Sequence, residues 1–453
     1  MLHSKLVFSL LIMCCSFIFS SEWIQLGENY ISSKKLVIKF KDYDEFNSSK
    51  PVALQNKQIL NQIASSFGSA VLTPTFSNYN KFTSKHRKHQ LHLYYNLKFN
   101  KSINIFDIKA LLETVDYIEL VEFDFRLSIN IVPNDTNYPN QWAHQNIGQA
   151  SQDGGGTVGA ENCDLDSEQA WDITTGNEDI IIAILDTGVN NHPEFEGRLL
   201  EGYDFIDNDN IPDDGNGHGT ACAGISAAKG NNNIGIAGVC WDCLILPVKI
   251  MSDQGFGDDT QIADAVVWSS DNDADIISMS LGGGDYVSYF DNAINYAVDN
   301  GTVVFAATGN DNASSIYYPS AYENCISIGA LSPCDERKNF NSCDGESYWG
   351  SNYGNGLDFL APGVRIHTTT SAGGYTSTFN GTSSACPYAA GIAGLMLSLD
   401  QNLSHESIKT IMEISSIDIG NSGYDLETGH GRLNAFNALI AINGGPEISL
   451  NTN

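Results

Sequence analysis

Two hydrophobic patterns divide the chain near residue 130. Before that point, short alternating apolar segments are interspersed with segments whose apolar residues have helical spacing, which predicts a small α+β unit of the ferredoxin-like type. The predicted strands are 36–40, 91–99 and 117–127, with a further one near 70–75, and the predicted helices are 53–67 and 103–115. The polar, turn-rich stretch that follows, NIVPNDTNYPNQW, predicts a linker.

From about residue 135, continuous apolar strands alternate with helical segments. Examples are DIIIAIL, ADIISMSL and TVVFAAT. Such strands with helical crossovers predict a parallel sheet covered on both faces, that is, a three-layer α/β domain. Ligand sites of these sheets lie beyond the carboxyl ends of the strands, and Asp186 lies at one such end.

The first twenty residues have the pattern of a secretory signal peptide. Lys5 precedes an apolar run, and the small residues Ser20 and Ser21 follow it. Lipid attachment at Cys14 is an alternative, which the large Met13 disfavours. No later segment contains 18 uninterrupted apolar residues, so we expect an exported protein without a membrane span.

Charge is distributed unevenly along the chain, whose formal net charge is -31. Residues 1–134 contain 15 Lys and Arg against 11 Asp and Glu, whereas the remainder contains 8 against 43. The strongly acidic main body argues against a nucleic-acid partner. The basic N-terminal part is electrostatically complementary to the part that follows it.

Eight cysteines follow the signal peptide, and an even number in an exported chain favours disulfides. Cys240 and Cys243 have the spacing of a zinc knuckle, but no second such pair and no nearby His accompany them, so a local disulfide is the preferred interpretation. Proximity also favours a bond between Cys334 and Cys343.

The triplet Asp186-Thr-Gly occurs in two protease chemistries. An aspartic protease requires a second such carboxylate, and this α/β chain has only one DTG, which excludes that class. The other chemistry requires a general base and a nucleophile, which His218 in NGHGTACAG and Ser383 in GTSSACPYAAG supply in the order Asp, His, Ser. Each motif alone is more often structural, but their joint occurrence in this order predicts catalysis.

These three motifs, together with AATGN, LAPG and GHGRLNA, resemble the signatures of the subtilisin-like serine proteases (subtilases) over roughly residues 138–442. The N-terminal unit resembles the inhibitor-like propeptide of that family. The resemblance implies a secreted, monomeric serine endopeptidase that acts on proteins and peptides through an acyl-enzyme, and that is made as a self-processing zymogen inhibited by its own propeptide. The implied parts are a signal peptide (1–20), a propeptide (21–134), a subtilisin-like peptidase domain (135–442) and a short polar tail (443–453).

The resemblance also assigns roles to individual residues. Asn310 in FAATGND resembles the family's side-chain donor to the oxyanion. The expected walls of the pocket for the residue before the scissile bond are Ser280, Leu281, Gly282, Gly283, Ala306, Ala307, Thr308 and Gly309, with Tyr317 as its floor. Tyr317 would shorten the pocket, whereas Asp311 at its rim would attract Lys or Arg, so we expect broad specificity.

Five Asp residues between 204 and 214 predict a structural calcium site. Clustered carboxylates repel one another unless a hard cation or water screens them, and a merely solvated acidic turn is the alternative. The spacing before His218 resembles the calcium loop of thermitase-like subtilases. The expected ligands are Asp204, Asp209 and Asp213, with Asp207 secondary, and for a second ion in the loop 229–238 they are Asn232 and the backbone of Ile234 and Ile236.

Thermitase-like and proteinase-K-like subtilases carry a free thiol at the position of Cys222. We therefore expect Cys222 and Cys386 to be unpaired, which leaves six cysteines for disulfides. Three alternatives to a secreted hydrolase remain: an inactive subtilase-like binding protein, a family member that ligates peptides, and an acidic surface whose main role is adaptation to salt.

Overall fold

The computed structural model describes residues 23–26, 29–41, 70–100, 103–125, 131–149 and 159–442. The chain separates into two compact units, Met1–Ser128 with Asn443–Asn453, and Ile129–Ile442. The predicted signal peptide, the predicted helix 53–67 and the polar tail lie outside the described residues. Within the described segments, no helix combines the length and the apolar character that crossing a bilayer requires.

The N-terminal unit is built on one antiparallel sheet in which β5, β2, β4 and β3 lie side by side and β1 also pairs with β2. Its strands are β1 Trp23–Leu26, β2 Asn29–Phe40, β3 Ala70–Pro74, β4 Tyr94–Phe99 and β5 Ile118–Phe125. Its described helices are Ser84–Lys88 and Ile105–Glu113, with 3-10 turns at Tyr79–Lys81 and Leu91–Leu93.

The helix Ile105–Glu113 buries Ile105, Ile108 and Leu112, which lie on one face because they are three and seven residues apart. They join Leu36, Ile38 and Leu97 of the sheet in a single core. The predicted strand 91–99 begins only at Tyr94, because Gln90 has a left-handed backbone and Leu93 N donates to Gln90 O, which closes a turn instead.

The C-terminal unit contains an eight-stranded sheet that confirms the predicted α/β architecture. Its order is β12-β11-β10-β9-β6-β8-β7, with β13 also pairing with β11, and every pair is parallel except β11 with the short edge strand β12. These strands are β6 Ile181–Asp186, β7 Tyr203–Asp204, β8 Leu244–Lys249, β9 Ile276–Met279, β10 Val303–Ala307, β11 Ile326–Ser332, β12 Glu336–Arg337 and β13 Phe359–Pro362. A separate antiparallel pair is formed by β14 Ile366–Thr369 and β15 Tyr375–Phe379.

Helices cover the parallel sheet. They are Ser167–Trp171, His218–Ala227, Asp259–Asp271, Ser288–Asp299, Thr382–Leu399, His405–Ser415 and Ala435–Ile442, with 3-10 turns at Tyr138–Asn140 and Pro193–Phe195. Helix Thr382–Leu399 is buried on nearly all sides because its sequence, TSSACPYAAGIAGLMLSL, is small or apolar throughout.

The helix His218–Ala227 approaches β14 closely at Gly224. A Cβ at this position would lie 2.3 Å from Thr369 Oγ1 and 2.6 Å from Thr368 Oγ1. Both hydroxyls donate to backbone carbonyls of the helix, at 2.6 Å from Thr368 to Ala221 O and 2.7 Å from Thr369 to Thr220 O. The glycine therefore permits a hydrogen-bonded contact between helix and strand.

The two disulfides predicted from proximity, Cys240–Cys243 and Cys334–Cys343, are present. Cys222 and Cys386 are unpaired, as expected. Cys163 and Cys325, which the sequence analysis left for disulfides, are also unpaired and buried, and that expectation was wrong for them. Cys163 Sγ instead donates to Ser332 O at 3.5 Å and accepts from Asp335 N at 3.1 Å.

Substitution of Gly224 by Ala will lower the free energy of unfolding by about 1 to 3 kcal/mol, because the added methyl group collides with the two threonine hydroxyls. Thermal unfolding followed by circular dichroism measures this change. Gly374→Ala is the matched control, since its Cβ would meet only Thr370 Oγ1, at an ordinary 3.5 Å. Equal effects of the two substitutions would contradict the role of the close contact.

Candidate active site

Asp186 is the last residue of β6 and is 1 % exposed. The strand ends because Thr187 and Gly188 turn the chain away. Gly188 has φ +105°, and a Cβ there would lie 2.4 Å from Pro212 O. Asp186 Oδ1 accepts hydrogen bonds from Thr187 N and from His218 Nδ1, both at 2.7 Å.

His218 is the first residue of its helix, and its side chain is 29 % exposed. The preceding Gly217 has φ +100°, which allows the chain to turn into the helix there. Burial is the largest single influence and lowers the pKa of His218, but the Asp186 carboxylate and the neighbouring Cys222 together outweigh it and hold this pKa well above its ordinary value. The ring of Phe379 packs edge-on against the imidazole, with centroids 5.3 Å apart.

Ser383 is the second residue of helix Thr382–Leu399, and its hydroxyl donates to Ser280 O at 3.1 Å. Pro387 lies four residues further on and has no N–H to donate to the Ser383 carbonyl. That carbonyl instead accepts from Ser280 Oγ at 2.8 Å and from the thiol of Cys222 at 3.5 Å. The proline therefore frees a backbone acceptor that ties the turn around Ser383 to its neighbours.

Asn310 follows β10 and faces the same turn. Its Oδ1 accepts from Thr382 N at 2.8 Å and from Thr382 Oγ1 at 3.1 Å, which orients its Nδ2 away from those donors. A Cβ at Gly381 would lie 3.3 Å from Asn310 Nδ2 and 3.5 Å from Ser383 N. The glycine thus leaves open the space that these two N–H donors border.

A cleft of about 360 Å³ contains these groups. Its lining includes His218, Ser383 and Asn310 together with six of the predicted pocket residues, Ser280, Leu281, Gly282, Ala307, Gly309 and Tyr317. Gly283 lines the adjacent pocket. The structure does not bring Ala306 and Thr308 to the cleft: Ala306 packs in the core of the sheet, and buried Thr308 donates to Asn352 O at 3.3 Å.

The predicted floor and rim of the pocket contact each other, since Tyr317 Oη donates to Asp311 Oδ2 at 2.8 Å. Buried Asn352 holds the same segment, because its Oδ1 accepts from Asp311 N at 3.0 Å and from Ala313 N at 2.9 Å. The charge of Asp311 is therefore partly engaged within the protein.

Asp214, which the sequence analysis did not select as a functional residue, links the turn after Asp186 to the start of the His218 helix. Its carboxylate is 2 % exposed, and it accepts from the hydroxyls of Thr187 and Thr220 at 2.8 and 2.6 Å. It also accepts from the backbone N–H groups of Asn216, Gly217 and Thr220 at 3.1, 2.6 and 2.9 Å. Such acceptors satisfy the free N–H groups of a helix start.

The acidic loop 204–213 lies between β7 and Asp214. Asp204 Oδ1 accepts from Ile206 N and Asp207 N, and Asp209 Oδ1 accepts from Ile211 N. Asp207, Asp209 and Asp213 are exposed, whereas Asp204 is buried. In the described part of the chain, the only three acidic, His or Cys ligand atoms that lie within 4.8 Å of one another are those of Asp186, His218 and Cys222. A cation in this loop would therefore need backbone carbonyls or water as well as carboxylates.

The loop 229–238 meets two buried carboxylates that the sequence analysis missed, Asp135 and Glu194. Asp135 accepts from Asn231 N at 2.6 Å, and Glu194 accepts from Asn232 Nδ2 at 2.8 Å and from Ile236 N at 3.0 Å. Burial raises the pKa of both carboxyls, and the proximity of Asp135 raises that of Glu194 further. Two buried carboxylates at one loop form a donor set that suits a hard cation.

Residues 177–431 match the model of the family described as the subtilase family. A thermophilic serine proteinase from Bacillus sp. (strain AK1) is 36 % identical over 76 % of this chain and 78 % of its own length. Thermitase from Thermoactinomyces vulgaris is 40 % identical over 61 % of this chain and 93 % of its own length. Among solved structures, a protease from Pseudoalteromonas arctica is similar with a TM-score of 0.58 and 29 % identity, covering 68 % of this chain and 99 % of that chain.

Replacement of Asp214 by Ala will leave several buried donors without an acceptor, and we expect the free energy of unfolding to fall by about 3 kcal/mol. Because the start of the His218 helix shifts, peptidase activity should also fall by about 10²-fold. Chemical denaturation and turnover of a peptide substrate measure the two effects. Glu201→Ala, which removes an exposed carboxylate from the same region, serves as control, and equal stability of the two variants would contradict this assignment.

Proposed function

The chain belongs to the subtilase family and is a serine-type endopeptidase, and we propose that Asp186, His218 and Ser383 form its catalytic triad. The observation that carries this proposal is the 2.7 Å hydrogen bond from His218 Nδ1 to Asp186 Oδ1. His218 and Ser383 line the same cleft. An imidazole oriented in this way has its Nε2 available for the proton of a nucleophile.

In the first step, Ser383 Oγ attacks the carbonyl carbon of the scissile bond, and its proton passes to His218 Nε2. The Ser383 hydroxyl donates to Ser280 O in the free protein, so it must rotate toward His218 when substrate binds. His218 then gives the proton to the leaving amine, and an acyl group remains on Ser383. Water attacks this acyl group by the same route and releases the second product.

The negative oxygen that develops on the carbonyl carbon requires donors. We assign this role to Asn310 Nδ2 and to the backbone N–H of Ser383, which border the space left open by Gly381. The N–H of Ser383 belongs to the first turn of a helix, where N–H groups lack partners within the helix. Loss of one such donor typically lowers turnover by about 10²- to 10³-fold.

For substrate binding, we propose that Ser280, Leu281 and Gly282 form one wall of the pocket for the residue before the scissile bond. Ala307 and Gly309 form the other wall, and Tyr317 forms the floor. The bond from Tyr317 to Asp311 supports broad specificity, because it holds the aromatic floor in place and engages the carboxylate that would attract basic residues.

We further propose that the protein is secreted as a zymogen in which residues 21–134 are an inhibitory propeptide. The basic charge of that segment and the acidic charge of the rest of the chain support this interpretation, as does the separate compact unit Met1–Ser128 with Asn443–Asn453, which contains most of the segment. A parallel sheet folds slowly because its strands pair over long sequence distances, so an N-terminal segment that assists folding has a physical purpose.

The remaining proposal is that the domain binds structural Ca²⁺. In the loop 204–213 the ligands would be the carboxylates of Asp204, Asp209 and Asp213, with Asp207 secondary, completed by carbonyls and water. In the loop 229–238 they would be Asn232 and the backbone of Ile234 and Ile236, to which the buried Asp135 and Glu194 carboxylates add two candidates. The ion would stabilise the loops and take no part in the reaction.

Wild-type protein expressed as residues 21–453 should lose the mass of its N-terminal segment by cleavage between residues 128 and 137 and should hydrolyse casein. Ser383→Ala should remain at full length, because it lacks the nucleophile. Intact-mass spectrometry measures both outcomes, and Ser384→Ala, at the buried neighbouring serine, is the matched control that should still be processed. Processing of Ser383→Ala in the absence of other proteases would exclude Ser383 as the nucleophile.

The pH dependence of kcat/KM should rise through the pKa of His218, because only neutral His218 can accept the serine proton. Since the Asp186 carboxylate raises this pKa, Asp186→Asn should move the acid limb to lower pH and reduce the maximum by about 10⁴-fold. Asp299→Asn, a distant exposed carboxylate, controls for the change in net charge. An acid limb that stays in place in Asp186→Asn would refute the assignment of His218.

Chelation by EDTA should lower the temperature of thermal unfolding, since calcium at 100 times its Kd stabilises the folded state by about 2.7 kcal/mol. Asp209→Asn should reduce this calcium-dependent shift if the ion lies in the loop 204–213, and Glu194→Gln should reduce it if the ion lies in the loop 229–238. Glu178→Gln, at an exposed carboxylate elsewhere, should leave it unchanged. Unfolding temperatures that do not respond to EDTA would exclude a structural calcium ion.

A further inference from the structure

Residues 334–349, which we call the disulfide loop, follow β11, and the Cys334–Cys343 bond closes their first ten residues. Lys338 and Asp344 form an ion pair at 3.0 Å within this loop, with side chains only 0 % and 1 % exposed. Lys338 Nζ also donates to Asn339 O at 2.9 Å and to Ser342 Oγ at 3.1 Å. The loop is therefore held in one conformation by contacts within itself.

Glu346 connects the disulfide loop to the segment that leads to Ser383. Its carboxylate accepts from Trp349 Nε1 at 2.8 Å, from Arg365 Nε at 3.0 Å and from Asn380 Nδ2 at 2.8 Å. Burial would raise the pKa of Glu346, but these donors outweigh burial and hold it below its ordinary value. Asn380 Oδ1 in turn accepts from Arg365 N at 2.6 Å. The loop is thus fixed against Asn380, three residues before Ser383.

Tyr348 is the exposed member of this arrangement. Its side chain is 73 % exposed, yet its hydroxyl lies 3.3 Å from Asn380 Nδ2 and accepts its hydrogen bond. Phe379, the neighbour of Asn380, packs against the ring of His218. An aromatic surface is therefore anchored beside the segment that flanks the proposed triad.

The position of Tyr348 relative to the cleft indicates which part of a substrate it meets. The cleft that we assign to the acyl part of the substrate is lined by Ser280, Gly282 and Tyr317, and its lining includes neither Phe379 nor Asn380 nor any residue of the disulfide loop. A peptide chain that enters from this cleft and crosses Ser383 continues past His218, which protonates the leaving amine. We place its leaving part over Phe379 and Asn380, toward Tyr348, because Phe379 packs on the ring of His218 and Asn380 Nδ2 donates to Tyr348 Oη.

From this arrangement we infer that Tyr348 forms a wall of the leaving-group subsite and selects aromatic or apolar side chains directly after the scissile bond. The inference rests on the proposed triad. The Tyr348 ring offers an apolar face for packing, and pairs of aromatic rings attract each other more strongly than their buried area alone explains.

Competition between nucleophiles for the acyl-enzyme tests this subsite directly. A short peptide p-nitroanilide acylates Ser383 in the mature enzyme, and phenylalanine amide or glycine amide is added to compete with water. The amine nitrogen attacks the acyl carbon, a C–N bond forms, the C–O bond to Ser383 breaks, and the amine proton passes through His218 to Ser383 Oγ. The ratio of the two transfer products reports the subsite and does not depend on the amount of folded enzyme.

We expect wild type to prefer phenylalanine amide over glycine amide and Tyr348→Ala to reduce this preference by about 3- to 10-fold. Tyr348→Phe should retain it, because the ring is kept and only the hydrogen bonds of the hydroxyl with Asn380 and Glu346 are lost. Phe340→Ala, at the other exposed aromatic of the loop, should leave the ratio unchanged.

A wild-type enzyme that releases p-nitroaniline but transfers the acyl group equally to both amides would overturn the subsite alone, as would an unchanged ratio in Tyr348→Ala. Absence of p-nitroaniline release across a panel of anilides, or release that persists in Ser383→Ala, would overturn the proposed triad and the subsite with it. The two failures are therefore distinguishable in one assay.

Discussion

The arrangement of the candidate active site depends on one buried carboxylate, that of Asp186 at the end of the parallel strand β6. Asp186 is almost fully buried, and a buried charge is costly unless it is paired and hydrogen-bonded. His218 supplies the pairing, and the turn at Thr187 supplies a backbone donor. Lys249 lies opposite Asp186 on the neighbouring strand β8. Its Nζ donates to Thr187 O and Asp213 O and so holds that turn in place. The groups that compensate the buried charge of Asp186 are therefore the same groups that position His218 and the turn after β6.

Much of this arrangement could be predicted from the sequence because it depends on short sequence motifs. A β-branched run that stops at Asp186, a glycine before His218 and a glycine before Ser383 each mark the end of a strand or the start of a helix. Periodicity likewise predicted the three-layer sheet and the helix Ile105–Glu113. Strand ends, helix starts and helical periodicity depend on residues that are close together in the chain, so they can be recognised in a single sequence.

What could not be predicted depends on contacts between distant segments. Nothing near Asp214 in the sequence reveals that its carboxylate faces Thr187 and Thr220, and it was grouped with the acidic loop instead. Asp135 and Glu194 meet the loop 229–238 across about 100 and 40 residues of chain. Ala306 in β10 and Thr308 directly after it were expected in the cleft. Every residue of β10 is buried, so the hydrophobic pattern of this strand does not distinguish a wall of the cleft from the core.

The burial of helix Thr382–Leu399 determines at which stage of synthesis this part of the protein can fold. The helix is surrounded by strands and helices drawn from most of the C-terminal unit, including Ala435–Ile442 at its end. A nascent chain that ends before Ala435–Ile442 lacks part of the packing around the helix that carries Ser383. The helix that carries Ser383 can therefore reach its packed position only after this part of the C-terminal unit has been synthesised, and removal of the proposed propeptide follows as a separate step.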